Sequence, residues 1–254
     1  MSNIKKIALV TGGSRGLGKN TAIALAKKGL DVILTYHTQL DEAENVVAEV
    51  QALGSKAVAL QLDTSDLGQF DTFLQKLSDA LQQNWVRKDF DFLINNAGFG
   101  GHAPFVETTE AQFDGLMNVH FKGVFFLTQK LLPMIATGGG IVNLSTGLAR
   151  IIYPGASAYA SMKAAIETLT KYQAKELGSR KIRVNVVAPG AIETDFGGGG
   201  VRDNADINAV IASATALGRV GLPDDIGGVV AFLCTEEAYW INAQRIEVSG
   251  GQML

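Results

Sequence analysis

Tyr159 and Lys163 are the two side chains of this sequence whose types and spacing most clearly suggest chemistry. They lie four residues apart, so on a helix they share one face, one turn from each other. A phenol has an ordinary pKa of ~10, and we expect the nearby ammonium to lower it by favouring the phenolate. Such a phenol could act as a general acid or base toward a carbonyl or an alcohol. The same spacing also occurs on ordinary amphipathic helices.

A glycine-rich turn near the N-terminus forms a second candidate site. The apolar run Ile4–Val10 leads into Thr11-Gly12-Gly13-Ser14-Arg15-Gly16-Leu17-Gly18, and helical periodicity follows. A strand–turn–helix junction leaves N–H groups and a positive helix end facing outward, which favours a pyrophosphate. The spacing is GxxxGxG, not the more common GxGxxG. It predicts dinucleotide binding through Gly12, Ser14, Arg15, Gly16, Leu17 and Gly18.

The end of the second predicted strand indicates which dinucleotide is bound. NAD enzymes place a carboxylate there for the ribose 2′-hydroxyl, whereas this chain has Tyr36, His37 and Thr38 and no acid before Asp41. Arg15 supplies a cation that can pair with a 2′-phosphate. The sequence therefore favours NADP(H) over NAD(H), although Arg15 could also be an ordinary surface arginine.

Apolar runs alternate with helical patterns along the whole chain. This alternation predicts an α/β fold: a single-domain, doubly wound, Rossmann-type parallel sheet of about seven strands with helices on both faces. One domain is expected over residues 1–254, with substrate loops at about 191–222. The predicted strands are Ile4–Val10, Val32–Tyr36, Ala57–Leu62, Phe92–Ile94, Ile141–Leu144, Val184–Ala188 and Ile246–Val248. The predicted helices are Leu17–Lys28, Asp41–Leu53, Gln69–Gln82, Leu116–Ile135, Ala158–Leu177 and Asp224–Leu233.

Composition argues against several classes of function. With 22 basic and 25 acidic residues and no basic run, the chain offers no patch for nucleic acid or an anionic membrane. The single cysteine, Cys234, excludes an intrachain disulfide and CxxC motifs. The three histidines lack metal-site spacing, so no metal is expected. The apolar run near the N-terminus is too short for a signal peptide, which predicts a cytoplasmic protein.

Taken together, the motifs resemble those of the short-chain dehydrogenase/reductase family, over essentially the whole chain. Thr11–Gly18 matches its TGxxxGxG turn, Asn95–Gly98 its NNAG segment, Tyr159–Lys163 its YxxxK motif and Pro189-Gly190 its PG. The closest similarity is to the 3-oxoacyl-acyl-carrier-protein reductase-like group. The resemblance implies an NADP(H)-dependent enzyme that reduces a carbonyl to an alcohol or catalyses the reverse. Tyr159 would be its acid/base, and Lys163 would also hold the nicotinamide ribose.

Two positions depart from the family pattern. The family's serine orients the substrate carbonyl, and its usual spacing to the tyrosine points here to Thr146; Ser145 remains the alternative, because neighbouring strand residues face opposite ways. The family's asparagine supports a water chain to the lysine, and His120 stands in its place. A neutral imidazole could carry that relay or be a core histidine satisfied by backbone.

Further cofactor contacts follow from the resemblance alone. Asp63 and Thr64 would meet the adenine. Asn95, Ala97 and Gly98 would line the adenosine ribose and stabilise the sheet. Pro189, Gly190, Ile192 and Thr194 would hold the nicotinamide.

The substrate pocket is expected at the carboxyl ends of the strands. Its walls would be Gly100–Phe105, Leu148–Tyr153 and Phe196–Asp206, which are largely apolar. Arg150 or Arg202 could meet an anionic substrate group or be simply exposed. The run Gly197–Gly200 predicts a mobile lid that orders on binding.

Assembly and alternative functions are also implied by the resemblance. It predicts a homotetramer, or a dimer, through Leu116–Ile135 and Ala158–Leu177. A catalytically silent NADP-binding regulator and an epimerase or dehydratase relative remain alternatives. Intact Tyr159 and Lys163 argue against the first, and the short stretch after Pro189 argues against the second.

Overall fold

The computed structural model describes residues 5–254 and is built around one seven-stranded sheet. The strands are β1 (Ile7–Val10), β2 (Asp31–Tyr36), β3 (Ala57–Gln61), β4 (Phe90–Asn95), β5 (Ile135–Leu144), β6 (Arg183–Pro189) and β7 (Arg245–Val248). All neighbouring strands are parallel, in the order β3-β2-β1-β4-β5-β6-β7. The carboxyl ends of all seven strands therefore meet at one edge.

Helices cover both faces of this sheet. They are α1 (Gly16–Lys27), α2 (Leu40–Ala52), α3 (Phe70–Trp85), α4 (Glu110–Met117), α5 (Val124–Leu131), α6 (Ser157–Glu176), α7 (Gly200–Asp203), α8 (Ala205–Ser213) and α9 (Pro223–Leu233). Side chains of β1 alternate between two cores: Ala8 and Val10 pack with α1, α2 and α9, whereas Ile7 and Leu9 pack with α3 and α5. The predicted doubly wound fold is confirmed.

Most predicted element boundaries are correct within three residues. The first strand begins at Ile7, and Ile4 lies outside the described residues. β5 is the largest strand exception, because it begins at Ile135 and not at Ile141.

The predicted helix Leu116–Ile135 is wrong at its start and in its continuity. The helical segment begins at Glu110, because Thr109 and Gln112 form a capping box in which Gln112 Oε1 accepts from the Thr109 N–H at 2.9 Å. It then passes through a π-helical stretch, Asn118–Gly123, before α5. Pro133 lies in a short 3-10 turn after α5, and Ile135 opens β5.

A buried polar network joins β4 and β5 to the helices behind them. The Asn95 amide donates to Thr128 Oγ1 at 3.0 Å and to Asn143 Oδ1 at 2.8 Å. The Asn143 amide donates in turn to Thr170 Oγ1 of α6 at 2.9 Å. All four side chains are almost fully buried. The network therefore fixes α6, the helix that carries Tyr159, against the sheet.

No helix within residues 5–254 combines the length and apolar character that crossing a bilayer requires.

We predict that Asn143→Ala lowers the free energy of unfolding by about 2 kcal/mol, because it removes the two buried hydrogen bonds that Asn143 makes with Asn95 and Thr170. Urea denaturation followed by circular dichroism measures this change. The control is Gln82→Ala, an exposed position on α3, which should change stability by less than about 0.5 kcal/mol. Equal losses for both variants would show that the network does not stabilise the fold.

Candidate active site

Tyr159 and Lys163 lie in the first two turns of α6 and face the carboxyl edge of the sheet. Both are nearly inaccessible, at 7% and 5% exposure. Lys163 Nζ is 5.9 Å from the centre of the Tyr159 ring and donates a hydrogen bond to the Leu144 carbonyl oxygen at 2.8 Å. Leu144 ends β5, so the sheet itself positions the ammonium.

The expectation that the ammonium lowers the phenol's pKa is wrong for this environment. Burial raises the pKa of Tyr159 above its ordinary value, and a hydrogen bond with Thr146 only partly opposes that rise. Burial also lowers the pKa of Lys163, to about 8. Desolvation penalises both charged forms, since water is excluded from the phenolate and from the ammonium alike. Tyr159 therefore keeps its proton at neutral pH.

Thr146 and Ser145 point in different directions at the end of β5. The Thr146 hydroxyl is close enough to Tyr159 to lower the pKa of that phenol, and its Oγ1 accepts from the Leu148 N–H at 3.2 Å. Ser145 Oγ instead donates to Glu167 Oε1 on α6 at 2.7 Å. The geometry thus brings Thr146, and not Ser145, to the phenol.

His120 occupies the π-helical stretch and is 1% exposed. Its Nε2 lies 2.8 Å from the Phe99 carbonyl oxygen, so this nitrogen donates the ring hydrogen to the backbone. Its ring stands edge-on to that of Tyr159, with centroids 5.1 Å apart. Burial, together with the Lys163 ammonium, lowers the pKa of His120 to about 3. The imidazole is therefore neutral, and Nδ1 is buried without a partner in the described structure.

The segment after β6 folds over Tyr159 and does not form an irregular loop. The Phe196 ring lies 5.7 Å from that of Tyr159. Gly197, Gly198 and Gly199 have φ of +62°, +79° and +76°, a left-handed turn that other residues rarely adopt. A Cβ on Gly100 would be 2.9 Å from Gly197 Cα, so two backbones meet there. α7 and α8 follow, inside a region predicted to be a mobile loop.

The glycine turn lies at the same edge of the sheet and depends on close backbone packing. A Cβ on Gly18 would come 2.1 Å from the Gly12 carbonyl oxygen, and one on Gly12 would come 2.9 Å from Ala97 Cα. Gly12 and Gly16 both have positive φ. Arg15 precedes α1 and makes no side-chain cap, so the N–H groups of the first turn remain available to an anion.

The predicted adenosine contacts lie beside this turn. Arg15 is exposed, and its guanidinium makes no ion pair within the described residues. His37 and Thr38 are exposed after β2, and Tyr36 is half-buried. His37 Nε2 lies 3.5 Å from Asp63 Oδ2, which links the ends of β2 and β3. The carbonyl oxygen of the next residue, Thr64, packs against Gly123.

The NNAG segment divides its roles differently from the prediction. Asn95 turns into the buried network under the sheet, so of its two predicted roles only sheet stabilisation fits its geometry. Asn96 was missed: its amide donates to the carbonyl oxygens of Thr11 at 2.8 Å and Gly12 at 3.0 Å and so shapes the glycine turn. The sequence could have identified Asn96, because it is the second residue of the same NNAG motif. Ala97 abuts Gly12, and Gly98 abuts the His120 ring.

The predicted nicotinamide contacts lie after β6. Pro189 ends that strand, and Gly190 packs against Ser249 so closely that a Cβ would be 2.9 Å from Ser249 Cα. Thr194 is 9% exposed, and its methyl group is near the position a Cβ on Gly16 would take. Ile192 pairs with Gly221 in a short bridge. The glycine turn and this segment therefore face each other.

Neither arginine suggested for an anionic substrate is free to meet one. Arg150 Nε donates to Glu247 Oε2 at 2.9 Å, and its other nitrogens reach backbone carbonyls near the C-terminus. Arg202 pairs with Asp195 and Asp203 across the left-handed turn. Both cations are already neutralised, because each is held by carboxylates.

Comparison with known proteins gives consistent matches over the whole chain. A family model described as Enoyl-(Acyl carrier protein) reductase matches residues 12–253. An uncharacterized oxidoreductase of Methylorubrum extorquens is 37% identical, with 97% of each chain covered. A hydroxynaphthalene reductase-like protein, Arp2, of Metarhizium majus is 35% identical over 98% of this chain and 95% of its own. Among solved structures, the angucycline C-6 ketoreductase LanV with bound NADP has a TM-score of 0.93 at 34% identity, covering 99% of this chain and 97% of its own.

We predict that His120→Asn makes the protein less sensitive to acid. The folded pKa of His120 is about 3, and the unfolded value is about 6.5. As the pH falls below about 6.5 the unfolded chain takes up the proton first, so wild-type stability is lost in that window. At about pH 5 the loss is about 2 kcal/mol, and the variant should not show it.

Urea denaturation of both proteins at about pH 7.5 and at about pH 5 tests this prediction. His102→Asn is the control, because that imidazole is exposed and its replacement should leave the wild-type pH profile unchanged. If the free energy of unfolding changed with pH by the same amount in wild type and in His120→Asn, the folded protein would not hold His120 in its neutral form.

Proposed function

The chain belongs to the short-chain dehydrogenase/reductase family, and from this premise we propose that it is an NADP(H)-dependent oxidoreductase that interconverts a ketone and an alcohol. One observation carries the proposal. The buried Tyr159 side chain, with Lys163 next to it on α6, lies at the sheet edge that also carries the glycine turn. Ligands of open parallel sheets bind at this edge.

The residues of the glycine turn fit a dinucleotide. The packing of Gly12 and Gly18 against backbone leaves no room for side chains, and the uncapped first turn of α1 offers N–H donors to phosphate. When bound, the nicotinamide supplies or accepts the hydride. Thr194 and Gly190, across from the turn, would hold its ring end. The nicotinamide ribose would lie next to the two ammonium hydrogens that Lys163 does not use on Leu144.

The proton comes from Tyr159. Because burial keeps the phenol protonated at neutral pH, it can donate to the carbonyl oxygen as the carbonyl carbon receives the hydride, giving a neutral alcohol. Thr146 Oγ1 would hold the same carbonyl oxygen in place. Lys163, with a pKa of about 8, can return a proton to the phenolate near neutral pH. In oxidation the steps run in reverse: Tyr159 first passes its proton to an uncharged Lys163, and the resulting phenolate accepts the proton of the alcohol as the hydride leaves the carbon.

We infer NADP(H) as the preferred cofactor. The exposed Arg15 has no carboxylate partner among the described residues, and no acid follows β2 before Asp41. A 2′-phosphate would meet Arg15, His37 and Thr38 without repulsion from a carboxylate at the end of β2. The LanV ketoreductase, which binds NADP, has the same overall fold, and this supports the inference.

A silent NADP-binding regulator is the second candidate. It is favoured by His120, whose Nε2 is committed to the Phe99 carbonyl oxygen and so leaves only Nδ1 for a relay.

We also propose a homotetramer or dimer through the α4–α5 segment and α6. Phe125 and Phe126 of α5 and Tyr172 of α6 are 37%, 37% and 63% exposed, and such apolar surface is typical of a subunit interface.

We predict that Tyr159→Phe lowers kcat for NADPH-dependent reduction by about 1,000-fold, because it removes the proton donor and no other group. Loss of reduced-nicotinamide absorbance with a panel of ketones, 3-oxoacyl thioesters and quinones measures turnover. Tyr172→Phe, at an exposed position of the same helix, is the matched control and should retain wild-type kcat. NADPH binding without turnover of any carbonyl by the wild type would favour the regulator.

We predict that Arg15→Gln raises the Kd for NADPH by about 10- to 100-fold, since a charge-assisted phosphate contact is lost. The Kd for NADH should change less than about 3-fold, because NADH lacks the 2′-phosphate. Fluorescence titration of both nucleotides measures the two constants. Lys27→Gln, an exposed cation at the other end of α1, is the control. Equal weakening of NADPH and NADH would place Arg15 away from the 2′-phosphate.

A further inference from the structure

We propose that the cleft beside Tyr159 selects an uncharged, fused-ring aromatic ketone, and that Gly115 sets the space available to its ring system. This inference rests on the proposed ketone chemistry and specifies its substrate. The cleft has a volume of about 340 Å³ and runs from Tyr159 beneath the segment Phe99–Ala103 toward α4. The reacting oxygen would lie at the Tyr159 end, so the cleft receives the part of the substrate beyond the carbonyl.

The described part of the chain gives the cleft no charged side chain. None of the residues that line it is Asp, Glu, Lys or Arg, and its polar side chains besides Tyr159 are His102, Thr108 and Gln112. The nearest loops offer no cation either, because Arg150 and Arg202 are both held by carboxylates. A substrate with a phosphate or carboxylate would lose its hydration there without gaining a counter-ion. The substrate is therefore uncharged, with at most hydroxyl or carbonyl groups to meet Thr108 and Gln112.

The width of the cleft comes from small residues. More than half of its lining residues are glycine or alanine, among them Gly101, Gly115, Gly155 and Ala158. At Gly115, on α4, a Cβ would meet nothing closer than Phe99 Cζ at 3.9 Å. A larger side chain at this position would therefore extend into the cleft and not into packed protein.

Aromatic rings surround the entrance. Phe99 is 44% exposed, and its ring packs on that of His120, which in turn contacts Tyr159. Phe196 is 46% exposed and packs on Tyr159 from the other loop. Two half-exposed rings therefore lie close to the proton donor, and an aromatic ligand can pair with them favourably beyond the apolar area that it buries. A planar ring system next to the carbonyl fits this entrance better than a flexible chain.

The test compares kcat/KM for four probes with NADPH. They are 2-tetralone, which is a neutral fused-ring ketone, 2-octanone, which is neutral and linear, acetoacetyl coenzyme A, which is anionic, and butane-2,3-dione, which is small. We expect 2-tetralone to exceed 2-octanone and acetoacetyl coenzyme A by at least about 10-fold. In Gly115→Leu the ratio of kcat/KM for 2-tetralone to that for butane-2,3-dione should fall by about 100-fold, because the leucine occupies the ring's space.

The matched control is Gly228→Leu on α9. That glycine is exposed, a Cβ there would have no other atom within 4 Å, and the position lies outside the cleft, so both the ratio and the activity should stay at wild-type values. Leucine is a better helix former than glycine, so both variants should fold.

The outcomes separate this inference from the proposed function. Reduction of butane-2,3-dione with no preference for 2-tetralone, or an unchanged ratio in Gly115→Leu, would overturn the inference and leave the ketone chemistry standing. A preference for 2-octanone would show that the cleft selects a linear ketone and not a fused-ring one. A preference for acetoacetyl coenzyme A would contradict the inference that the substrate is uncharged. Reduction of none of the four would count against the proposed function itself.

Discussion

The site depends on the burial of a phenol and an ammonium together, with no carboxylate among residues 5–254 to offset either. Desolvation raises the pKa of Tyr159 and lowers that of Lys163 to about 8, so both groups are held toward their uncharged forms. Packing against the rings of His120 and Phe196 holds the phenol in place, and a hydrogen bond to the Leu144 carbonyl oxygen holds the ammonium. An acid that must release its proton at the moment of hydride transfer benefits from this arrangement, because it stays protonated until a carbonyl oxygen arrives.

The sheet supplies the positions that this pair requires. β5 provides Leu144 and leads to Thr146, β1 leads into the glycine turn, and β6 leads to the segment that folds over Tyr159. Since all strands are parallel, these contributions meet at one edge without long connections. Several of the contacts join backbone to backbone, as between Gly100 and Gly197, where a side chain on Gly100 would separate the loops. Glycine and alanine residues likewise line most of the uncharged cleft.

Much of this could be predicted from the sequence, because its signals are local. Apolar runs and the glycine turn predict the strands, the helices and their doubly wound order, and the four-residue spacing places Tyr159 and Lys163 on one face. What failed depends on surroundings. A spacing argument counts the ammonium beside the phenol but not the water that both lose on burial, so the direction of the Tyr159 pKa was wrong. The glycine run predicts a lid that orders on binding, which stays a prediction, and the sequence does not reveal that Gly197, Gly198 and Gly199 make a left-handed turn, a conformation that only glycine adopts readily. The separation of Asn95 from Asn96 also required the fold, because adjacent residues of the motif face the core and the turn.

The most direct test of the account is a spectrophotometric titration of the Tyr159 phenol. The difference in phenolate absorbance between wild type and Tyr159→Phe isolates this tyrosine from the other four. The account predicts no Tyr159 phenolate below about pH 10, the ordinary range for a phenol, because burial opposes its charge. A phenolate that titrates near neutral pH in the absence of nucleotide would contradict it, and would mean that the Lys163 ammonium outweighs desolvation.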